Sequence, residues 1–229
     1  YHTKVIYGSE EEFMGINDKT ELATAEKIMQ NKLREKFLQQ GVTLIDPETI
    51  YFSKDTKIGK DVTIYPNVFI GLKVVIGNNS TIHSFTHLDD CKIGKNVSIG
   101  PNARIRPGSE IADEAKVGNF VEIKKSKIGK GSKVNHLAYV GDAILGKNVN
   151  VGAGTITCNY DGKNKYVTQI GDNAFIGSNS SLVAPLKIEK DAYIGSGSVI
   201  TNNVSKGALA IERSHQTEIK NWSKRLKRK

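Results

Sequence analysis

The sequence predicts a mainly β protein: a parallel β-helix of hexapeptide repeats, preceded by a long connecting α-helix. Three observations carry that prediction. Aliphatic residues return every six positions, with a few five-residue steps, from Ile58 to Ile200. Small or β-branched residues stand four positions after many of them, as at Val62, Val68, Ala103 and Ala115. A stretch of helical period comes before the whole array. A beat of six is neither the 2 of a strand nor the 3.6 of a helix, and it belongs to a coil that turns a corner after every short strand.

The elements follow in chain order. Residues 1–17 hold the strand-like triplet of "KVIYGSEEEF" but no partner strands, so they read as the end of a further domain. The chain opens on Tyr1 rather than Met, which leads us to expect a fragment. Residues 18–41 read as one helix. Asp18 caps it with Glu21 at capping-box spacing, Leu22, Ala25, Ile28, Met29, Leu33 and Phe37 form its apolar stripe, and Gly41 stops it. Residues 42–206 are the repeat domain, and 207–229 a basic tail. The beat runs Ile58, Ile64, Ile70, Ile76, Ile82, Leu88, then by a five-residue step to Ile93, with further short steps to Ile128 and Leu145. Stacked coils satisfy one another's backbone hydrogen bonds and align the aliphatic residues into one core. We expect about eight coils, a prism roughly 38 Å long at ~4.8 Å per strand. Glycine after the aliphatic residue suits a tight corner.

Composition sets limits on function. With 38% hydrophobic and only 7% aromatic residues, the core is aliphatic and aromatic platforms for nucleic acid are scarce. The net charge is +9, but the terminal "KNWSKRLKRK" supplies six basic residues and no acid, so the excess reads as a solvated tail. No window approaches a membrane span, and we expect neither a membrane nor a nucleic-acid partner. Two cysteines, Cys91 and Cys158, make no disulfide framework, which points to a cytoplasmic setting.

The beat breaks at "GAGTITCNYDG" (152–162) and resumes at Ile170. Residues 157–169 should leave the wall as a loop, with Asn159, Tyr160, Asp161, Lys163 and Lys165 projecting toward a neighbour. "VNHLAYVGD" followed by "NVNVGAGTITCNYDG" resembles the acetyltransferase domain of the bacterial bifunctional N-acetylglucosamine-1-phosphate uridylyltransferase/glucosamine-1-phosphate acetyltransferase family. The likeness runs from "GINDKTEL" (15–22) to the basic terminus.

That resemblance implies a left-handed parallel β-helix, against the general preference for right-handed crossovers. It also implies a cytoplasmic homotrimer with sites between chains, and acetyl transfer from acetyl-CoA to glucosamine-1-phosphate, on the route to UDP-N-acetylglucosamine for peptidoglycan and lipopolysaccharide. Carried over by position, His136 is the catalytic base. Arg106, Lys124, Tyr139, Asn150 and Lys165 hold the amino-sugar phosphate. Ala153, Asn159, Tyr160, Ser178, Ser196 and Arg213 contact acetyl-CoA, with Ser196 where a relative can have Ala. Asn17 matches a Mg2+-site residue of the uridylyl-transferring domain, of which residues 1–17 would be the remnant.

The residue chemistry fits those roles. A histidine accepts a proton near neutral pH, and Arg and Lys supply fixed charge for a phosphate. The group that orients His136 stays open, with Glu122 and Asp142 as candidates. Cys158 has no His or carboxylate partner at a persuasive position, so direct transfer is simpler than an acyl-enzyme. Other classes are a different hexapeptide acyltransferase, a non-enzymatic trimeric scaffold, and a zinc site at His83 and His87 of "HSFTH", which would want a third ligand.

Overall fold

A computed structural model describes residues 3–226; Tyr1, His2 and the tail residues Lys227, Arg228 and Lys229 lie outside it. The repeat domain is a three-faced solenoid of short parallel strands. Its first face has ten strands, from Thr43–Leu44 to Leu209–Ala210; its second has nine, from Tyr51–Phe52 to Val199–Ile200; its third has eight, from Lys57–Ile58 to Leu186–Ile188. The nine strands of the second face mark nine turns, one more than expected, because the stack starts at Thr43 rather than Ile58. It also ends later: Leu209–Ala210 pairs with Tyr193–Ile194, beyond the boundary placed at 206.

The beat is the core. Strand register stacks Ile64, Ile82, Ile99, Val117, Val134, Val151, Ile176 and Ile194 on the first face, all buried. Phe52, Ile70, Leu88, Ile105, Ile123 and Val140 do the same on the second. There the column is interrupted by Thr157, which is buried and satisfied: its hydroxyl accepts from Gly141 N at 2.7 Å and donates to Gly141 O at 3.0 Å. The polar intruder sits in the turn from which the loop leaves.

The five-residue steps have a common place. Leu88 to Ile93, Ile123 to Ile128 and Val140 to Leu145 all cross from the second face to the third, with Asp90, Lys125 and Asp142 turning the corner at φ +38°, +46° and +47°. Two six-residue crossings between these faces also carry one left-handed residue each, Lys73 and Gly108, so the short steps drop a residue and keep that corner. The glycines need a different account from the one expected. Gly100 has a positive φ, but at Gly77 a Cβ would lie 2.5 Å from Gly94 O, and at Gly118 1.9 Å from Asn135 O. Those glycines are required by the close approach of the next turn, not by the corner.

The helix spans Lys19–Gln39. Asp18 caps it, accepting from the backbone N–H groups of Thr20 and Glu21 at 2.8 Å each. Glu21 reaches back to Asn17 N rather than Asp18 N, so the capping box is displaced by one residue. Only the C-terminal part of its stripe is covered: Leu33 and Phe37 are buried, whereas Leu22 and Met29 are exposed. Phe37 packs on Phe52 with ring centroids 4.7 Å apart. Gln30, a polar residue the stripe omits, pairs its amide with both backbone groups of Phe52, at 2.7 and 2.9 Å. Arg34 donates to Ile50 O and Glu48 O. The helix thus occupies the open end of the solenoid and satisfies backbone groups that have no further turn to pair with.

Residues 3–17 contain a short 3-10 turn, Glu10–Glu12, but no strand, so the expected triplet at Val5 and Ile6 forms none. The basic tail carries a short helix, Trp222–Leu226. No helix among the described residues is long and apolar enough to cross a membrane.

Candidate active site

Strand register brings the candidate base and three candidate acetyl-CoA contacts onto one edge. Val134 stacks on Val151, Val151 on Ile176, and Ile176 on Ile194. Two residues past each stands His136, Ala153, Ser178 or Ser196, in turns ~4.8 Å apart. Backbone bonds across this edge tie the turns together: Gly154 N donates to His136 O, Asn179 N to Ala153 O at 2.7 Å, and Gly197 N to Ser178 O at 2.8 Å. Arg213 joins the column from the C-terminal segment, donating to Ser196 O.

The next position along this edge is left-handed in every turn, yet its side chain changes. Asn67 (φ +60°), Phe85 (+61°), Asn102 (+55°), Phe120 (+54°) and Leu137 (+50°) are followed by Gly154 (+73°), Asn179 (+54°) and Gly197 (+74°). Bulky residues are uncommon in that region, at a cost of about 1–2 kcal/mol each. Here they are also exposed, by 57% at Phe120 and 63% at Leu137. The edge therefore presents a short apolar ridge, Phe120 and Leu137, in the two turns up to His136, and a low track of small and polar residues beyond it.

His136 is exposed and held from below. Its Nδ1 lies 2.7 Å from Asn119 Oδ1, and the two residues are register partners on adjacent strands. An amide oxygen only accepts, so Nδ1 carries the hydrogen and, in the neutral ring, Nε2 keeps its lone pair. Neither candidate orienter does this. Glu122 pairs with Arg106 at 2.7 Å, and Asp142 accepts from Asn159. Charge suggested those two; register would have found Asn119, which stands two past Val117 as His136 stands two past Val134.

The candidate sugar-phosphate residues divide. Arg106 and Lys124 are stacked at the end of the second face, where register aligns Lys124 with Gly141. Tyr139 lies on the same face, partly exposed, beside Glu122 in register. Asn150 faces outward on the first face, across the His136 edge. Lys165 is on the loop. The guanidinium of Arg106 is half-buried and already engaged by Glu122, a contact sequence reasoning missed.

The loop proper is 159–167, shorter than expected, since Ile156–Cys158 and Thr168–Ile170 are strands in the wall. It is a small hairpin with a bridge between Tyr160 and Lys165. Asp161 Oδ1 accepts from the backbone N–H of Asn164 at 2.6 Å and of Lys163 at 2.8 Å, which holds its carboxyl below the usual range. Tyr160 and Lys165 are exposed, but Asn159 is buried at the neck and does not project.

The other candidates are placed elsewhere. His83 packs on Tyr65 and bonds Ser98, while His87 stacks on Phe69; they lie on different faces, and burial lowers the pKa of both. Among the described residues no three His, Cys, Asp or Glu side chains are grouped to hold a metal ion. Asn17 is exposed ahead of the helix, its backbone N–H donating to Glu21. Cys91 is buried and its thiol is pushed up to about 12 by desolvation.

The bacterial transferase hexapeptide family (six repeats) matches residues 55–89, 90–125 and 168–202. The stretch it omits between 125 and 168 holds His136 and the loop. The bifunctional protein GlmU of Bradyrhizobium diazoefficiens is 63% identical over 217 residues, 95% of this chain and 48% of that protein. That of Paramagnetospirillum magneticum is 54% identical over 222 residues, 97% of this chain and 49% of that protein. The chain spans about half the length of the curated relatives it matches. Among solved structures, LpxA of Bacteroides fragilis, a UDP-N-acetylglucosamine acyltransferase, superposes with a TM-score of 0.63 at 23% identity, covering 70% of this chain and 69% of that one. That likeness concerns the fold alone.

Proposed function

We propose that this chain, homologous to the C-terminal half of those bifunctional proteins, transfers the acetyl group of acetyl-CoA to the amine of glucosamine-1-phosphate. The observation that carries the reading is the single edge on which His136, its Nε2 free, stands at the foot of the low track formed with Ala153, Ser178 and Ser196. A thin extended donor lying along the track would meet the base where the ridge of Leu137 and Phe120 begins.

The chemistry follows from what those residues can do. The sugar's free amine attacks the thioester carbonyl while Nε2 of His136 takes the proton that the forming N–C bond releases. The tetrahedral oxyanion collapses, the C–S bond breaks, and the CoA thiolate leaves and takes up a proton. Asn119 keeps the imidazole in the tautomer this step requires. Arg106 and Lys124 offer charge to the phosphate, Arg106 by exchanging or sharing its Glu122 contact.

In this reading the assembly is a cytoplasmic homotrimer. The loop with Tyr160 and Lys165 leaves at the corner between the second and third faces, whereas His136 stands between the first and second. Loop and base meet in one site most simply when a second copy supplies one of them. Magnesium at Asn17 would belong to the uridylyl-transferring half of the longer proteins.

A thiol-release assay with acetyl-CoA tests the activity, run with glucosamine-1-phosphate beside glucosamine-6-phosphate and free glucosamine. The expected result is release that is fastest with the 1-phosphate. No release with any of the three would overturn the reading, and a preference for another sugar would overturn its substrate.

A further inference from the structure

We propose that Asp142 is a positioning residue that bolts both legs of the loop 159–167 to the wall, and so sets where Asn159 and Tyr160 meet the acetyl donor; the second clause rests on the function proposed above. The inference starts from the five-residue step between Val140 and Leu145, which leaves Asp142 to turn the corner at φ +47°. Aspartate tolerates that conformation better than most residues. Of the three acids and bases that turn such shortened corners, Asp90 is partly exposed and Lys125 exposed, but Asp142 is only 7% exposed. A carboxylate is costly to bury without partners, so its placement beneath the loop calls for a reason.

Its contacts supply one. Oδ2 accepts from the side-chain amide of Asn159, where the chain leaves the wall. The backbone carbonyl of Asp142 accepts from Thr168 N at 3.2 Å, where the chain returns. Its own N–H donates to Lys124 O at 3.0 Å, anchoring it to the turn below, and Lys125 Nζ stands 3.9 Å from Oδ1. The loop itself is closed above this point by Tyr166 N donating to Asn159 O at 2.9 Å and by the Tyr160–Lys165 bridge. One residue therefore touches both ends of a hairpin that is otherwise stiff. Removing its carboxylate frees Asn159 to leave the neck, and the hairpin then pivots as a unit on its Thr168 leg.

Hydrogen exchange on the whole protein tests the clamp without reference to activity. Asp142→Ala should speed exchange across 159–168 by about tenfold or more while the first-face strands keep their protection. Asp142→Asn keeps an acceptor oxygen and the left-handed corner, and should restore most of the protection. Asn159→Ala, which leaves the corner intact, should loosen the same segment, and the double variant should loosen it no further. If exchange in 159–168 is unchanged in both Asp142→Ala and Asn159→Ala, the clamp is refuted. A second readout is the KM for acetyl-CoA in the thiol-release assay. It should rise about tenfold in Asp142→Ala with a smaller change in kcat, and return in Asp142→Asn. A loosened loop with an unchanged KM would leave the clamp standing and overturn its role in holding the donor.

Discussion

The edge that carries His136 has two halves with one backbone. In the two turns up to His136 the left-handed corner holds Phe120 and Leu137, after a stretch where phenylalanine and asparagine alternate (Asn67, Phe85, Asn102); above it stand Gly154, Asn179 and Gly197. Strand register and the left-handed corner residue persist between them, and the aliphatic column runs through both. The halves differ in what two adjacent corner positions present to solvent: Asn119–Phe120 and His136–Leu137 in one, Ala153–Gly154, Ser178–Asn179 and Ser196–Gly197 in the other. A solenoid repeats its core so uniformly that binding can be written into corner residues at little cost to the fold. The ridge accepts strained bulky residues, and the track accepts residues that let a ligand approach the backbone.

Each prediction breaks or sharpens that contrast. Gly154→Leu extends the ridge by one turn. A Cβ there would meet Asn179 Oδ1 at 2.2 Å, the end of a side chain that can swing away, so the fold should survive. The KM for acetyl-CoA should rise about a hundredfold, equivalent to about 2.8 kcal/mol; steady-state kinetics on the folded variant would show otherwise if donor binding is unaffected. Asn119→Ala leaves both halves of the edge intact but releases Nδ1. It should lower kcat about tenfold or more with little change in acetyl-CoA KM, and a rise in KM instead would assign Asn119 to binding rather than to the base. Arg106→Ala should act on the sugar alone, raising the KM for glucosamine-1-phosphate about tenfold and leaving that for acetyl-CoA unchanged. An equal effect on both substrates would contradict the division between the second face and the edge. Gln30→Ala lies outside the contrast and should leave all kinetics unchanged. It removes two backbone partners at the solenoid's open end, for a loss of about 1–3 kcal/mol read from denaturant unfolding.

Much of this architecture is legible in the sequence because a hexapeptide beat states the core directly: Ile64, Ile82 and Ile99 recur in sequence as they stack in space. The short steps at Leu88, Ile123 and Val140 are visible too, although their shared corner emerges only once turns are grouped by face. What the beat does not state is how an end is closed. Gln30 reads as a polar break in a helical stripe until the unpaired Phe52 backbone is in view. Leu22 and Met29 read as core by period, yet they are exposed because the first turn covers the side of the helix that carries Gln30, Leu33 and Phe37. The site was half legible. His136 and the track residues were placed by resemblance, and the beat itself puts Asn119 beneath His136. Glu122 and Asp142 attracted attention as charges, but each is committed to another contact, which composition and spacing do not reveal.

The central claim is that His136 presents a free Nε2 at the foot of the track. Nitrogen-15 NMR of histidine-labelled protein tests it directly, with the His136 signal assigned by its loss in His136→Gln. At a pH of about 8.5, above the ordinary histidine range, the account predicts the tautomer protonated at Nδ1, shifting toward a mixture in Asn119→Ala. A wild-type spectrum in which His136 is protonated at Nε2 would contradict it, since the nitrogen assigned to take the amine's proton would already carry one.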